Sequence, residues 1–147
     1  MDTNLLINGE FAAGTETAET SVNPRTGETI VELPEASVEQ IDATARGARE
    51  AFEGWSRTTP AERSAALLRI ADRIEAEAKD FGRLEALNCG KPINAAIGDE
   101  IPAIVDCYRF FAGAVRTLTA PVAGEHMKDH TSMIRRDPLG VVASIAL

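Results

Sequence analysis

The sequence predicts an α/β chain that is rich in helix, with a small strand-and-turn element at the N-terminus and one strand of the parallel-sheet type at the C-terminus. Three observations carry this. Asn-Gly and Pro-Arg-Thr-Gly turns punctuate the first 35 residues. Between Ser37 and Leu118 apolar residues recur every three or four positions behind clear start signals, the period of a helix with one buried face. The segment "GVVASIAL", Gly140 to Leu147, carries Val141, Val142, Ile145 and Leu147, as in a strand covered on both faces.

The elements follow in order. In "LLINGEFAAG", Asn8-Gly9 lies between apolar flanks, and a two-residue hairpin turn needs the positive φ that these two residues tolerate. In "NPRTGETIVEL", Pro24 presets one turn residue, Gly27 supplies a permissive one, and Thr29 to Leu33 reads as a strand. "ASVEQIDATARGAREAFEGW" begins a helix with Ser37 and Gln40 as a capping box, and Val38, Ile41, Ala45, Ala48, Phe52 and Trp55 form its apolar stripe. A second helix is capped by Thr59, with Pro60 in its first turn and Glu62 closing the box. Its stripe runs Leu67, Ile70, Ala71, Ile74, Ala78, Phe81.

A shorter helix from about Asp80 to Cys89 is expected to end at Gly90, because glycine accepts the left-handed cap and Pro92 blocks continuation. The next, from about Asn94 to Leu118, is expected to bury Ile101, Ile104, Val105, Tyr108, Phe111 and Val115 or their neighbours. Pro102 falls inside it, so the helix either starts near Glu100 or bends there. "APVAGEHMKDH" reads as a loop, "TSMIRRD" as a strand, and "DPLG" as a turn into "VVASIAL".

Composition excludes several classes. Fifteen Lys and Arg against 23 Asp and Glu give a formal charge of −8, which would repel nucleic acid and anionic membranes. No run approaches the roughly 20 apolar residues of a membrane span, and "MDTNLLINGE" lacks the basic start of a secretory signal, so a cytoplasmic location is expected. Cys89 and Cys107 are too few for a disulfide framework and are expected to be thiols.

Motif chemistry alone yields no active site. His126 and His130 have a chelating spacing only on a helix, and they lie in a polar segment with Asp129 and no soft third ligand. "GKP" at Gly90 to Pro92 lacks the upstream glycine and the following Ser or Thr of a phosphate loop. Cys89 or Cys107 as a nucleophile would need a distant base. Asp99, Glu100 and Asp106 are either acid–base candidates or acids complementing a helix dipole.

Seven ordered pieces, "INGEF", "NPRTGETI", "AFEGW", "PAERSAALLRIADRIE", "LEALNCGKP", "YRFFAG" and "SMIRRDPLGVVASIA", resemble the N-terminal portion of the NAD(P)-dependent aldehyde dehydrogenase family. "NCGKP", "DEIPAIVDCYRFFAGA" and "HTSMIRRDPLGVVASIA" are most similar to bacterial γ-aminobutyraldehyde dehydrogenases, relatives of the betaine-aldehyde enzymes.

The resemblance implies the N-terminal part of the aldehyde dehydrogenase fold, with an incomplete doubly wound sheet. Residues 1–129 would be the strand-and-helix part of the cofactor-binding domain. Residues 130–139 would be a strand of the oligomerisation arm, and 140–147 the first strand of the dinucleotide sheet. It implies a homotetrameric, putrescine-degrading oxidoreductase that converts an amino-aldehyde such as 4-aminobutanal to the acid with NAD or NADP.

The family's catalytic cysteine, oxyanion-hole asparagine and general-base glutamate match no residue here. The 147 residues alone are therefore expected to be inactive and to bind no cofactor tightly. Carried over position by position, Ile145 and Ala146 would line the cofactor, although as apolar residues they fit a plain core equally. Glu100, Ala103 and Cys107 would line the aldehyde channel, with Glu100 meeting a cationic amino end. Ser21, Val22 and Asn88 would hold a monovalent cation, Asn88 standing where relatives carry an acid. The alternative is an independent helical interaction protein derived from the same family.

Overall fold

The computed structural model describes residues 2–117 and 123–145. It contains three separate two-stranded antiparallel sheets and a helical layer. Strands β1 (Leu5–Ile7) and β2 (Glu10–Ala12) pair Leu5 with Ala12 and Ile7 with Glu10. Asn8 and Gly9 turn the chain at φ of 54° and 85°, as the Asn-Gly signal predicts. Strands β3 (Ala18–Val22) and β4 (Thr29–Pro34) form the second pair, with Asn23 O accepting from Gly27 N–H in the turn and a register shift at Ser21/Val22.

Helix α1 (Val38–Trp55) carries the predicted capping box: Ser37 accepts from the Gln40 N–H, and the Gln40 side chain accepts from the Ser37 N–H. The Gln40 side chain also donates to Ala13 O at 2.8 Å, which ties the first hairpin to the helix start. Helix α2 (Pro60–Ala76) has the Thr59–Glu62 box. It stops before Phe81, because Glu77 leaves the helical region at φ −103°, ψ 16° and α3 (Ala78–Cys89) starts on a new axis. Gly90 at φ 71° ends α3 as predicted.

The helix expected from Asn94 is three pieces in series: α4 (Ile93–Ala95), a π-helical turn (Ala96–Glu100) and α5 (Ile101–Thr117). The Ile101 N–H reaches back five residues to Ala96 O. A wide turn at this point accommodates Pro102, whose ring would otherwise press on the carbonyl four residues earlier and which has no N–H to donate. The expected end at Leu118 lies outside the described residues.

The core sits where α2 meets α5: Ala71, Ile101 and Val105 are buried, with Ile74, Ala78 and Tyr108 packed around them. Ala112 is buried as well, whereas Ile104 and Phe111, expected inside, are 43% and 55% exposed. The buried set is thus narrower than a full amphipathic face. Among the described residues no large side chain is fully buried.

Three further expectations are corrected. The segment read as a loop folds as a hairpin of β5 (Gly124–Met127) and β6 (His130–Ser132), closed by Asp129 at φ 63°. Asp tolerates the left-handed region less obviously than Asn-Gly, so the turn signal was weak. Conversely, the strand read over 131–137 survives only at Thr131 and Ser132, and no strand forms over 140–145. A strand needs a neighbour for its ladder, and none of the three small sheets pairs with this segment. Val142 and Ile145 consequently stand 81% and 90% exposed.

Candidate functional site

The front of α5 presents one exposed face away from the core. Glu100, Ala103 and Cys107 are spaced by three and four residues, so they stack on a common stripe, which Ile104 and Phe111 extend. All five side chains are exposed, while Ile101, Val105 and Ala112 on the other side are buried. The stripe is therefore apolar along its length, with one carboxylate at the end where the π turn delivers it. Phe110 lies beside it and meets Phe111 edge to face, ring centroids 5.3 Å apart. Phe111 was expected in the core; its exposure is the signal that sequence reading missed.

Glu100 is not alone. Lys91, just past the Gly90 cap, places Nζ 2.8 Å and 3.1 Å from the two Glu100 carboxylate oxygens and 2.8 Å from Glu85. These charge-assisted bonds push the Lys91 ammonium well above its ordinary range, with Glu100 the larger cause, and the bond from Lys91 holds the Glu85 carboxyl below its own. Lys91 is mostly covered, and the sequence raised it only within "GKP", for a phosphate loop and not for a bridge to Glu100. Gly82 makes the junction possible: a Cβ there would run into the Ile97 side chain of the π turn.

Cys89 donates to Glu85 at 3.5 Å, and that carboxylate pushes the Cys89 thiol up. A thiolate is thereby disfavoured, contrary to what a nucleophile needs. Cys107 is exposed on the stripe.

The three residues considered for a cation fall partly together. Ser21 donates to Asn88 Oδ1 at 3.2 Å across 67 positions of sequence, and the strand irregularity between Ser21 and Val22 lies at the same point. An irregularity of this kind leaves backbone groups outside the ladder. The donors are all neutral oxygens, and among the described residues no group of three His, Cys, Asp or Glu could hold a metal. His126 and His130 lie on paired strands, not on a helix turn, and His130 Nδ1 is 2.8 Å from Lys128 O.

A dinucleotide finds little to hold it here. The start of α1 and the start of α2 each have an N–H taken by a capping side chain, Ser37 and Thr59, and α3 opens behind the acidic Glu77. Ile145 is exposed and offers no polar side-chain atom, and Ala146 lies outside the described residues. The pyrophosphate of a nicotinamide cofactor requires free N–H groups at a glycine turn or helix start. Neither the capped starts of α1 and α2 nor Ile145 offers such a group, whereas α3 and α4 begin without a side-chain cap. No described helix is long and apolar enough to cross a membrane.

Comparison with known proteins agrees with the architecture. The aldehyde dehydrogenase family model matches residues 11–146. The chain is 37% identical over 149 aligned positions to the NADP/NAD-dependent aldehyde dehydrogenase PuuC of Escherichia coli K12, covering 99% of this chain and 30% of that protein. It is 38% identical over 122 positions to the fluoroacetaldehyde dehydrogenase of Streptantibioticus cattleyicolor, covering 83% and 24%.

Among solved structures, a mutant aldehyde dehydrogenase from Bacillus cereus superposes with a TM-score of 0.81 at 34% identity, over 89% of this chain and 27% of that one. A mutant indole-3-acetaldehyde dehydrogenase, AldA of P. syringae, in complex with NAD+ and IAA, gives 0.86 at 27% identity, over 95% and 28%. The chain thus spans under a third of the length of these relatives. Helical layer, hairpins and sequence agree: the chain belongs to the aldehyde dehydrogenase family.

Proposed function

We propose that this chain is the N-terminal, substrate-facing part of an NAD(P)-dependent enzyme that oxidises amino-aldehydes such as 4-aminobutanal to carboxylic acids. The observation that carries the substrate class is the exposed stripe of α5, apolar through Ala103, Ile104, Cys107 and Phe111 and closed by Glu100. A short carbon chain lies along the apolar part, and its ammonium meets the carboxylate. The E. coli relative is named for aldehyde dehydrogenation with either cofactor, which supports both the reaction class and the cofactor choice.

In this reading Ser21, Val22 and Asn88 hold a monovalent cation through neutral oxygens, and Ile145 and Ala146 border the cofactor in the assembled enzyme. Residues 130–139 belong to an arm that joins subunits of a cytoplasmic homo-oligomer, most simply a tetramer. Because the family's catalytic cysteine, oxyanion-hole asparagine and general-base glutamate match no residue here, a polypeptide of these 147 residues alone is proposed neither to bind NAD tightly nor to oxidise an aldehyde.

The test is a chimaera in which this chain replaces the matching segment of the E. coli relative. It is expected to oxidise aldehydes and to prefer 4-aminobutanal to butanal. Glu100→Gln is expected to lower that preference about tenfold, or about 1.4 kcal/mol, through KM. A folded, active chimaera whose preference ignores Glu100→Gln refutes the assignment.

A further inference from the structure

The stripe proposed above to face substrate has a charge that Glu100 does not set by itself. One ammonium, Lys91, is shared between two carboxylates, Glu85 and Glu100, at 2.8 Å each. The three groups sum to one negative charge. Lys91 holds both oxygens of Glu100, so the carboxylate that an approaching cation would meet is already engaged. Glu85 draws the same ammonium from the other side.

Two glycines shape the backbone around this bridge. Gly90 fixes the exit of α3 at φ 71°, and Gly82 lets the π turn approach so closely that its Ile97 fills the space of a Cβ. Arg109, a cation on α5, is committed to Asp72 and Glu75 and does not compensate. Asp99 and Asp106 are the other exposed acids on the front of this helix, at positions off the stripe.

We infer that Lys91 is a specificity-determining residue: by dividing its charge between Glu85 and Glu100 it limits how strongly the Glu100–Ala103–Cys107 face attracts a cationic substrate end. This rests on the reading of that face as substrate-facing. It assigns the degree of amine selectivity to the Lys91 bridge, and not to Glu100 alone. Removing Lys91 sharpens the preference for cations; removing either carboxylate blunts it.

Cys107 provides a readout on the stripe that needs no catalysis. In the full 147-residue chain carrying Cys89→Ser, which keeps a donor toward Glu85, Cys107 is the single thiol. Its modification rates are measured with a cationic methanethiosulfonate (the 2-aminoethyl reagent) and with the neutral methyl reagent, at low ionic strength. The ratio of the two rates reports the local potential and cancels steric access. Glu100 and Cys107 are seven residues apart, roughly 10 Å along the helix, a distance at which a unit charge changes the ratio about twofold to fourfold.

Lys91→Met is expected to raise the ratio by that factor, Lys91→Arg to leave it unchanged, and Glu85→Gln and Glu100→Gln each to lower it. Circular dichroism checks that each variant stays helical; Glu85→Gln tests the sharing even if Lys91→Met unfolds. A ratio that falls with Glu100→Gln but ignores Lys91→Met and Glu85→Gln overturns the role of Lys91 and leaves the substrate-face reading intact. A ratio that ignores Glu100→Gln as well overturns both.

Discussion

Two glycines in helices show how local contact decides the sign of one substitution. Gly47 lies inside α1, and the atoms nearest a Cβ there belong to the Asn8 side-chain amide, which can swing aside. Gly47→Ala then gains helix propensity of about 0.5–1 kcal/mol. Gly82 lies inside α3, and its Cβ would meet Ile97 near the root of that side chain. Gly82→Ala is expected to cost about 1–3 kcal/mol through overpacking and to displace the π turn. Urea unfolding of the two variants should move the midpoint in opposite directions; equal shifts would refute the contact argument.

Charge at the residue scale also fixes an acid limit. Hydrogen bonds from the Thr59 backbone and side chain hold the Glu62 carboxyl below its ordinary value, Arg109 does so for Glu75, and Lys91 for Glu85. Each group binds its proton less readily folded than unfolded. Its contribution is therefore present above the unfolded value and is lost as pH falls through the folded one. Stability is expected to be flat from pH 6 to 8 in these terms and to decline in acid, below about pH 4.5. Thr59→Ala should reduce the acid sensitivity. The pairs are exposed, so the effect is small and needs low salt to be seen.

At the scale of elements, helix starts were legible and helix interiors less so. Ser37 with Gln40 and Thr59 with Glu62 announce α1 and α2 because a capping box uses local side chains only. Ser37→Ala should cost about 1 kcal/mol and reduce the far-ultraviolet helix signal, since α1 leans on little besides the first hairpin. The interruption before α5 was legible from Pro102, but its π-helical form and the break at Glu77 were not, because no local residue type announces either. The same limit applies to the site. Glu100, Ala103 and Cys107 are brought together by helical spacing that any reader of the sequence can count. Lys91 reaches Glu100 only because Gly90 turns the chain back, and that is a tertiary fact.

At the scale of the molecule, what is exposed matters more than what is buried. Leu5, Leu6, Ile7, Ile41, Ala45 and Val141 line part of an open apolar groove of about 440 Å³ between α1 and the first hairpin. Val38 is 70% exposed, and Trp55 is exposed at the other end of α1. The period that predicts this helix correctly says nothing of what its stripe packs against. Apolar surface of this extent marks a contact face. The chain is accordingly expected to associate at high concentration, and sedimentation velocity across a dilution series measures it; a monomer at every concentration would contradict this.

Belonging to a dehydrogenase family and holding a dehydrogenase cofactor are separate properties, and this chain is proposed to have the first without the second. The stripe of α5 is proposed to meet an aldehyde's tail, whereas the starts of α1 and α2 have N–H groups already taken by capping side chains. Titration calorimetry of NAD into the purified 147-residue chain is the direct measurement. The account predicts no saturable heat up to millimolar cofactor. A stoichiometric isotherm at micromolar affinity would contradict it.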